Sequence, residues 1–84
     1  MPYQAFQTKD GYVILAVGND GQFKRLCQHL CKDWADDPRY ATNSARVKNR
    51  HDLVPMIGAL MAGHSTAHWV QIFRDIDVPG GPVN

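Results

Sequence analysis

Residues 12–31 read YVILAVGNDGQFKRLCQHLC, and their hydrophobic period changes partway along. The segment Tyr12–Val17 is β-branched or apolar throughout, which is typical of a strand. After Gly18 the apolar residues recur every three or four positions, at Phe23, Leu26, Cys27, Leu30 and Cys31. That spacing is typical of one face of an amphipathic helix. We therefore predict a strand that leads into a helix.

The start of this helix has its own signal. Asn19 is a favoured N-cap residue, and Gln22 stands three residues later in the reciprocal capping position. The predicted helix runs from about Asp20 to Cys31, and Trp34 extends its apolar stripe by another turn.

The residues before the helix resemble a β-hairpin. Gln4–Thr8 alternates loosely, and Asp10-Gly11 stands before the second strand, where glycine would supply the positive φ of a tight reversal. The second strand is apolar at every position, so both of its faces need cover. That is more cover than a chain of 84 residues easily provides.

Three shorter helices are predicted downstream. Pro38 disfavours helix at Asp37, and Thr42 or Asn43 then caps a short helix through Val47. A second helix carries Leu53, Val54, Ile57, Leu60 and Met61, is interrupted by Pro55 in its first turn or at a kink, and ends at Gly63. A last helix begins after Ser65 or Thr66 and carries Trp69, Ile72, Phe73 and Ile76.

The chain ends on the proline- and glycine-rich stretch Val78–Val83, which encodes a shaped loop. The predicted order is β-β-α-α-α-α-(β). We predict an α+β fold, a small antiparallel β-sheet made from the N-terminal hairpin and packed with about three to four helices, with residues 1–84 as a single domain.

Composition indicates a soluble, cytoplasmic protein. The chain is 44% hydrophobic and 20% charged, and its longest apolar run, Val13–Val17, is far too short to cross a bilayer. Lys9 and Asp10 lie within the first ten residues without an early apolar block, so no signal peptide is predicted.

Neither a metal site nor a catalytic residue is predicted. Cys27 and Cys31 lie on the core stripe and are interpreted as buried thiols. His64 and His68 have i, i+4 spacing, but His64 precedes the helix cap, so we do not expect helical geometry to relate them, and both are interpreted as exposed. The serines fall at capping positions, and no nucleophile stands beside a base.

A local basic stretch remains. Arg39, Arg46, Lys48 and Arg50 lie in a segment without acidic residues, while the net charge of the whole chain is only +1. The segment is interpreted either as a solvated helical face or as a phosphate-contacting or docking surface centred on Arg46, Lys48 and Arg50. The low net charge argues against a nucleic-acid partner.

Three segments together resemble a known family. PYQAFQTKDGYVILAVGNDGQFKRLCQHL, then DDPRYATNSARVKNRHDL, then DVPGGPVN is similar, in order and spacing, to the small domain of family III CoA-transferases. This group includes formyl-CoA, carnitine-CoA and succinyl-CoA-dependent transferases and α-methylacyl-CoA racemase. The resemblance covers essentially all 84 residues.

The resemblance implies a much larger parent enzyme. In the family, a large Rossmann-like domain is built from both ends of a longer chain, the small domain is inserted between two linkers, and full-length chains form interlocked dimers. Met1-Pro2-Tyr3 resembles the point where the chain enters the small domain, and Val78–Asn84 resembles the point where it returns. Surfaces that meet the rest of the enzyme would be exposed apolar patches here, so the chain is a candidate homo-oligomer.

The resemblance also implies the chemistry. The family transfers CoA from an acyl-CoA to a carboxylic acid through an aspartate nucleophile on the large domain, and no aspartate of this chain matches it. A coenzyme A thioester is thus the substrate of the full-length family, and no cofactor is expected on this chain. Pro2 and Tyr3 come closest to the active site. The chain is predicted to be inactive alone, as scaffold and active-site wall; the alternative is a stand-alone binding module that uses the Arg39–Arg50 surface.

Overall fold

The computed structural model describes residues 1–83. Its elements, in chain order, are β1 (Tyr3–Gln7), β2 (Tyr12–Ala16), α1 (Asp20–His29), a 3₁₀ turn (Trp34–Asp36), α2 (Asn43–Lys48), α3 (Arg50–Met61), α4 (Thr66–Asp75) and β3 (Gly80–Pro82). The strands form an antiparallel sheet in the order β1-β2-β3. The predicted α+β fold is confirmed. Within the described residues, no helix is long and apolar enough to traverse a bilayer.

The predicted start of α1 is confirmed, and its end differs. The backbone N–H of Gln22 donates to Asn19 Oδ1 at 2.8 Å, while Gln22 Oε1 accepts from the N–H of Gly18 at 2.6 Å. The helix ends at His29, because Cys31 adopts a left-handed φ of 57° and turns the chain away. Cys31 is therefore exposed, and its interpretation as a buried thiol was wrong.

The hairpin turn also differs from the prediction. β1 and β2 pair from Tyr3 with Ala16 to Gln7 with Tyr12, so four residues connect them. The backbone N–H of Thr8 donates to the carbonyl of Gly11 at 2.8 Å, and no glycine of the described chain has a positive φ. A longer loop does not need the mirror-image turn of a two-residue connection, so the positive φ expected at Gly11 was wrong.

The turn is instead held by the last helix. Asp10 Oδ1 accepts a hydrogen bond from the backbone N–H of Thr66, the first residue of α4, at 2.9 Å. The hydroxyls of Thr8 and Thr66 lie 2.7 Å apart. The bond from Thr66 keeps the pKa of Asp10 below its ordinary value.

The other helices follow their sequence signals closely. Thr42 caps α2 by accepting from the N–H of Ala45 at 3.2 Å, and Ser65 caps α4 by accepting from the N–H of His68 at 3.1 Å. Pro55 lies at the sixth position of α3, beyond the first turn, where it removes one backbone hydrogen bond.

The core lies between one face of the sheet and the helices. It contains Phe6, Val13, Leu15, Val17, Phe23, Leu26, Cys27, Leu53, Ile57, Met61, Trp69 and Phe73, each less than 5% exposed. Alternate residues of β2 point the other way, and Tyr12 and Ile14 are 53% and 37% exposed. The helices therefore cover only one face of β2, whereas we expected both of its faces to be covered.

The C-terminal stretch, predicted as a shaped loop with an optional third strand, contains the short strand β3. Gly80–Pro82 pairs with β2, and the approach to it is anchored by Arg25 of α1. The Arg25 guanidinium donates to the carbonyls of Ile76 and Asp77, each at 2.7 Å, at the C-terminal end of α4. Asn84 lies outside the described residues.

Candidate functional site

Pro2 and Tyr3 lie at the start of the sheet and differ sharply in exposure. Pro2 is fully buried, and its carbonyl accepts a hydrogen bond from the N–H of Val17 at 2.8 Å. Tyr3 is 77% exposed and stands opposite Ala16. Tyr3 can therefore contact another surface, whereas Pro2 acts only through the backbone that it positions. Their nearness to an active site stays a prediction.

Arg46 does not belong to a surface. Its side chain is 0% exposed, and its guanidinium donates to the carbonyls of Met1 at 2.6 Å and Tyr40 at 2.9 Å. A third bond of 2.7 Å joins it to Asp20 Oδ1, and the guanidinium lies 4.4 Å from the ring centre of Phe23. The sequence placed Arg46 on a surface, either a solvated helical face or a phosphate-contacting or docking surface; that placement was wrong, because the side chain is buried and each of its three guanidinium nitrogens donates to a group within the fold.

The remaining basic side chains are dispersed. Lys48 and Arg50 are exposed, and Arg50 donates to the carbonyl of Val47 at 3.1 Å. Arg39 forms an ion pair of 2.8 Å with Asp37. Hydrogen bonds from the side chain and backbone of Arg39 lower the pKa of Asp37. Among residues 1–83, the predicted basic surface thus retains only Lys48 and Arg50 as exposed cations outside an ion pair.

The two histidines lie together despite their position across a helix cap. The rings of His64 and His68 stack with centroids 4.1 Å apart, and Trp69 meets both edge-on. His64 precedes the cap Ser65, so helical geometry does not relate the two rings, as expected, yet they stack; His64 is exposed as interpreted, whereas His68 is half-buried. They border a cavity of about 410 Å³ lined also by His29 and Leu60. The pKa of His68 is lowered mainly by desolvation and secondly by the charge of the neighbouring His64 imidazole. No group of three metal-ligating side chains occurs within residues 1–83.

The aspartates that have partners serve the fold. Asp10 accepts from the N–H of Thr66 at the start of α4, Asp20 pairs with Arg46, Asp37 pairs with Arg39, and Asp75 accepts from Gln71 at 2.9 Å. Each carboxylate is held by a neighbour that fixes local structure. These four side chains therefore show no arrangement suited to attack on a substrate.

The two thiols differ in reactivity. Burial raises the pKa of Cys27 to about 11, so this side chain stays protonated at neutral and mildly alkaline pH, while Cys31 is exposed. We expect a thiol-specific reagent at pH 8 to modify one cysteine quickly in the native chain and both in denaturant. Cys31→Ser should abolish the quick phase, and Cys27→Ser should leave it intact. The reverse pattern would contradict the assignment.

One face of the sheet is left uncovered by the helices, and we call it the outer sheet face. It consists of the side chains directed away from the helices: Tyr3, Ala5, Gln7, Tyr12, Ile14, Ala16, Gly81 and Val83. None of these eight residues is charged. The apolar character of β2 on both sides predicted part of this surface. The contributions of β1 and β3 follow from the register, which sequence reasoning did not provide.

Comparison with known proteins completes the picture. The model of CoA-transferase family III matches residues 1–84. The mouse succinyl-CoA:glutarate CoA-transferase is 44% identical over 85 residues, which cover 100% of this chain and 20% of that protein. The Agrobacterium fabrum succinate–glutarate CoA-transferase is 43% identical over 84 residues, which cover 99% of this chain and 21% of that protein.

A solved structure has the same fold as this chain. A CAIB/BAIF family protein from Brucella suis superposes with a TM-score of 0.94 at 42% identity, over 99% of this chain and 22% of that one. This chain therefore spans about a fifth of the length of the proteins that it matches. The match over the whole sequence shows that the chain belongs to CoA-transferase family III.

Proposed function

We propose that these residues form the small domain of a CoA-transferase that moves CoA from an acyl-CoA to a carboxylic acid. The observation that carries the proposal is the match of all 84 residues to the family, together with their small share of each relative. Two of the proteins compared above, from mouse and Agrobacterium fabrum, are named as CoA-transferases of succinyl-CoA and glutarate or of succinate and glutarate. Short dicarboxylates are thus the first substrates to test. Cytoplasmic location and a dimeric parent belong to the same proposal.

The reaction of the parent enzyme would be divided between domains. An aspartate of the large Rossmann-like domain attacks the thioester carbonyl, expels CoA as thiolate, and becomes a mixed anhydride. The thiolate then attacks the aspartyl carbonyl and releases the donor acid, and the resulting enzyme thioester passes CoA to the acceptor acid. Residues 1–84 supply scaffold and one wall of the cleft, with Tyr3 as the exposed side chain nearest the entry point.

The alternative, a free-standing module that binds phosphate groups through the Arg39–Arg50 surface, is not favoured. Arg46 is enclosed, and Arg39 is paired with Asp37. Lys48 and Arg50 alone give a weak site, because the affinity of a cationic surface for phosphate groups rises with the number of contacts.

The proposal predicts a difference between this chain alone and the chain in an enzyme. We expect no transfer of CoA from succinyl-CoA to glutarate by the 84-residue chain. We expect transfer by a chimera in which residues 1–84 replace the matching segment of the Agrobacterium fabrum relative. Product acyl-CoA, separated by chromatography and identified by mass, is the measurement. Turnover by the isolated chain, or a folded chimera without turnover, would contradict the proposal.

A further inference from the structure

The outer sheet face has the composition of a buried interface. Tyr3 is 77% exposed and Tyr12 is 53% exposed, and they stand at opposite ends of the face. Tyrosine is enriched and charge is depleted where proteins meet. Between the tyrosines, Ile14 pairs with Ala5 on one side and Gly81 on the other. A Cβ built on Gly81 would meet no atom within 4 Å, so the centre of the face is open to a partner.

The size of the face argues against a second copy of this chain as the occupant. Five residues of strand extend about 17 Å, and three strands span about 14 Å, which gives a projected area of roughly 240 Å². Even twice that area is well below the ~800 Å² that each partner buries in a standard stable interface. A polypeptide joined covalently to this chain needs less area, because linkage gives it a high effective concentration.

The two ends of the described chain lie at the rim of the sheet. The nitrogen of Met1 donates to the carbonyl of Val17 at 3.0 Å, next to one end of β2, and to Asn43 Oδ1 at the start of α2 at 2.7 Å. The N–H of Val83 donates to the carbonyl of Tyr12 at 3.4 Å, at the other end of β2. Polypeptide attached before Met1 or after Val83 therefore leaves from diagonally opposite corners of the sheet.

We propose that the outer sheet face is covered, in the intact enzyme, by an uncharged apolar surface of the same parent chain outside residues 1–84. This inference rests on the proposed function, which supplies the longer chain. The occupant has no need of a charged group, since none of the eight residues of the face offers a countercharge. The small area predicts that a second copy of the 84-residue chain is not a stable occupant at micromolar concentration.

The test measures the accessibility of position 14. Ile14→Cys and, as a matched control, Gln28→Cys on the exposed surface of α1 are each introduced with Cys31→Ser. Both variants are prepared as the isolated chain and within the Agrobacterium chimera, and modification by a maleimide is followed at the relevant peptide by mass spectrometry. In the isolated chain we expect similar rates at the two positions. In the chimera we expect modification at position 14 to slow by about 100-fold or more, because the reagent reaches a covered thiol only through local opening.

Two outcomes would overturn the inference. One is a folded chimera in which position 14 is modified as quickly as in the isolated chain. The other is an isolated chain that sediments as a dimer at micromolar concentration with position 14 protected, which makes a second copy the occupant. A folded chimera that protects position 14 but transfers no CoA supports the docking surface and contradicts the proposed function, so the two failures are distinguishable.

Discussion

Arg46→Ala is expected to remove a large part of the stability of the 84-residue chain. The substitution deletes three hydrogen bonds, to the carbonyls of Met1 and Tyr40 and to Asp20, and the packing of the guanidinium on Phe23. Hydrogen bonds of charged groups contribute about 1.5–3 kcal/mol each, and losses within one cluster are not additive. We expect the free energy of unfolding to fall by about 3–5 kcal/mol. A domain of this length has about 4–12 kcal/mol in total.

Urea unfolding followed by tryptophan fluorescence measures the effect. Arg50→Ala is the matched control, since Arg50 is exposed in the adjoining segment, and its free energy of unfolding should change by no more than about 0.5 kcal/mol. Arg46→Lys keeps the charge but cannot direct planar donors at three acceptors, so it should also destabilise strongly. Equal stability of Arg46→Ala and Arg50→Ala would show that Arg46 belongs to a surface, as its sequence context first indicated.

The burial of Arg46 could not be predicted because its partners are distant in the sequence. The acceptors lie 45, 6 and 26 positions away, on the N-terminus, the loop before α2 and the first turn of α1. Within its own segment Arg46 has basic and polar neighbours, which is typical of a solvated helix. Asp20, in the first turn of α1, is one of the groups that hold Arg46 in place.

Features encoded locally were predicted well. The period of Phe23, Leu26 and Cys27 is a property of one short segment, and the caps Asn19, Thr42 and Ser65 act over three residues. The prediction failed where the chain departs from a continuing period. Cys31 continues the apolar spacing, but the helix ends two residues earlier, and the left-handed residue after the end points outward.

The outer sheet face was predictable in part. Tyr12 and Ile14 alternate with Val13 and Leu15, so a two-sided apolar strand was visible. A local pattern does not specify which side of β2 the helices cover. It also does not specify that β3 places Gly81 next to Ile14, because these paired residues lie about 67 positions apart in the sequence. An apolar face without cover is consistent with a chain that spans a fifth of each relative.

Gly80→Ala is expected to displace β3, although the sequence does not distinguish Gly80 from Gly81. A Cβ at Gly80 would overlap the carbonyl oxygen of Ile14 and would lie 2.7 Å from Cδ2 of Phe73. Neither neighbour can yield easily, because the first is backbone of the central strand and the second is a ring 1% exposed in the core. We expect the free energy of unfolding to fall by about 2–3 kcal/mol, as is usual when a packed site receives an extra carbon.

Gly81→Ala is the matched control for this prediction, one residue further along the same strand. A Cβ at Gly81 points to the open side and meets no atom within 4 Å, so stability should change by no more than about 0.5 kcal/mol. Chemical denaturation of both variants measures the difference, and amide exchange at Ala16, whose N–H donates to the carbonyl of Pro79 at 2.9 Å just before β3, reports whether that strand has moved. If the two substitutions lower the free energy of unfolding equally, close packing of β3 against α4 does not explain the glycine at position 80. A large loss at Gly80 alone would show that this glycine is required because the backbone of β2 and the ring of Phe73 lie too close for any side chain.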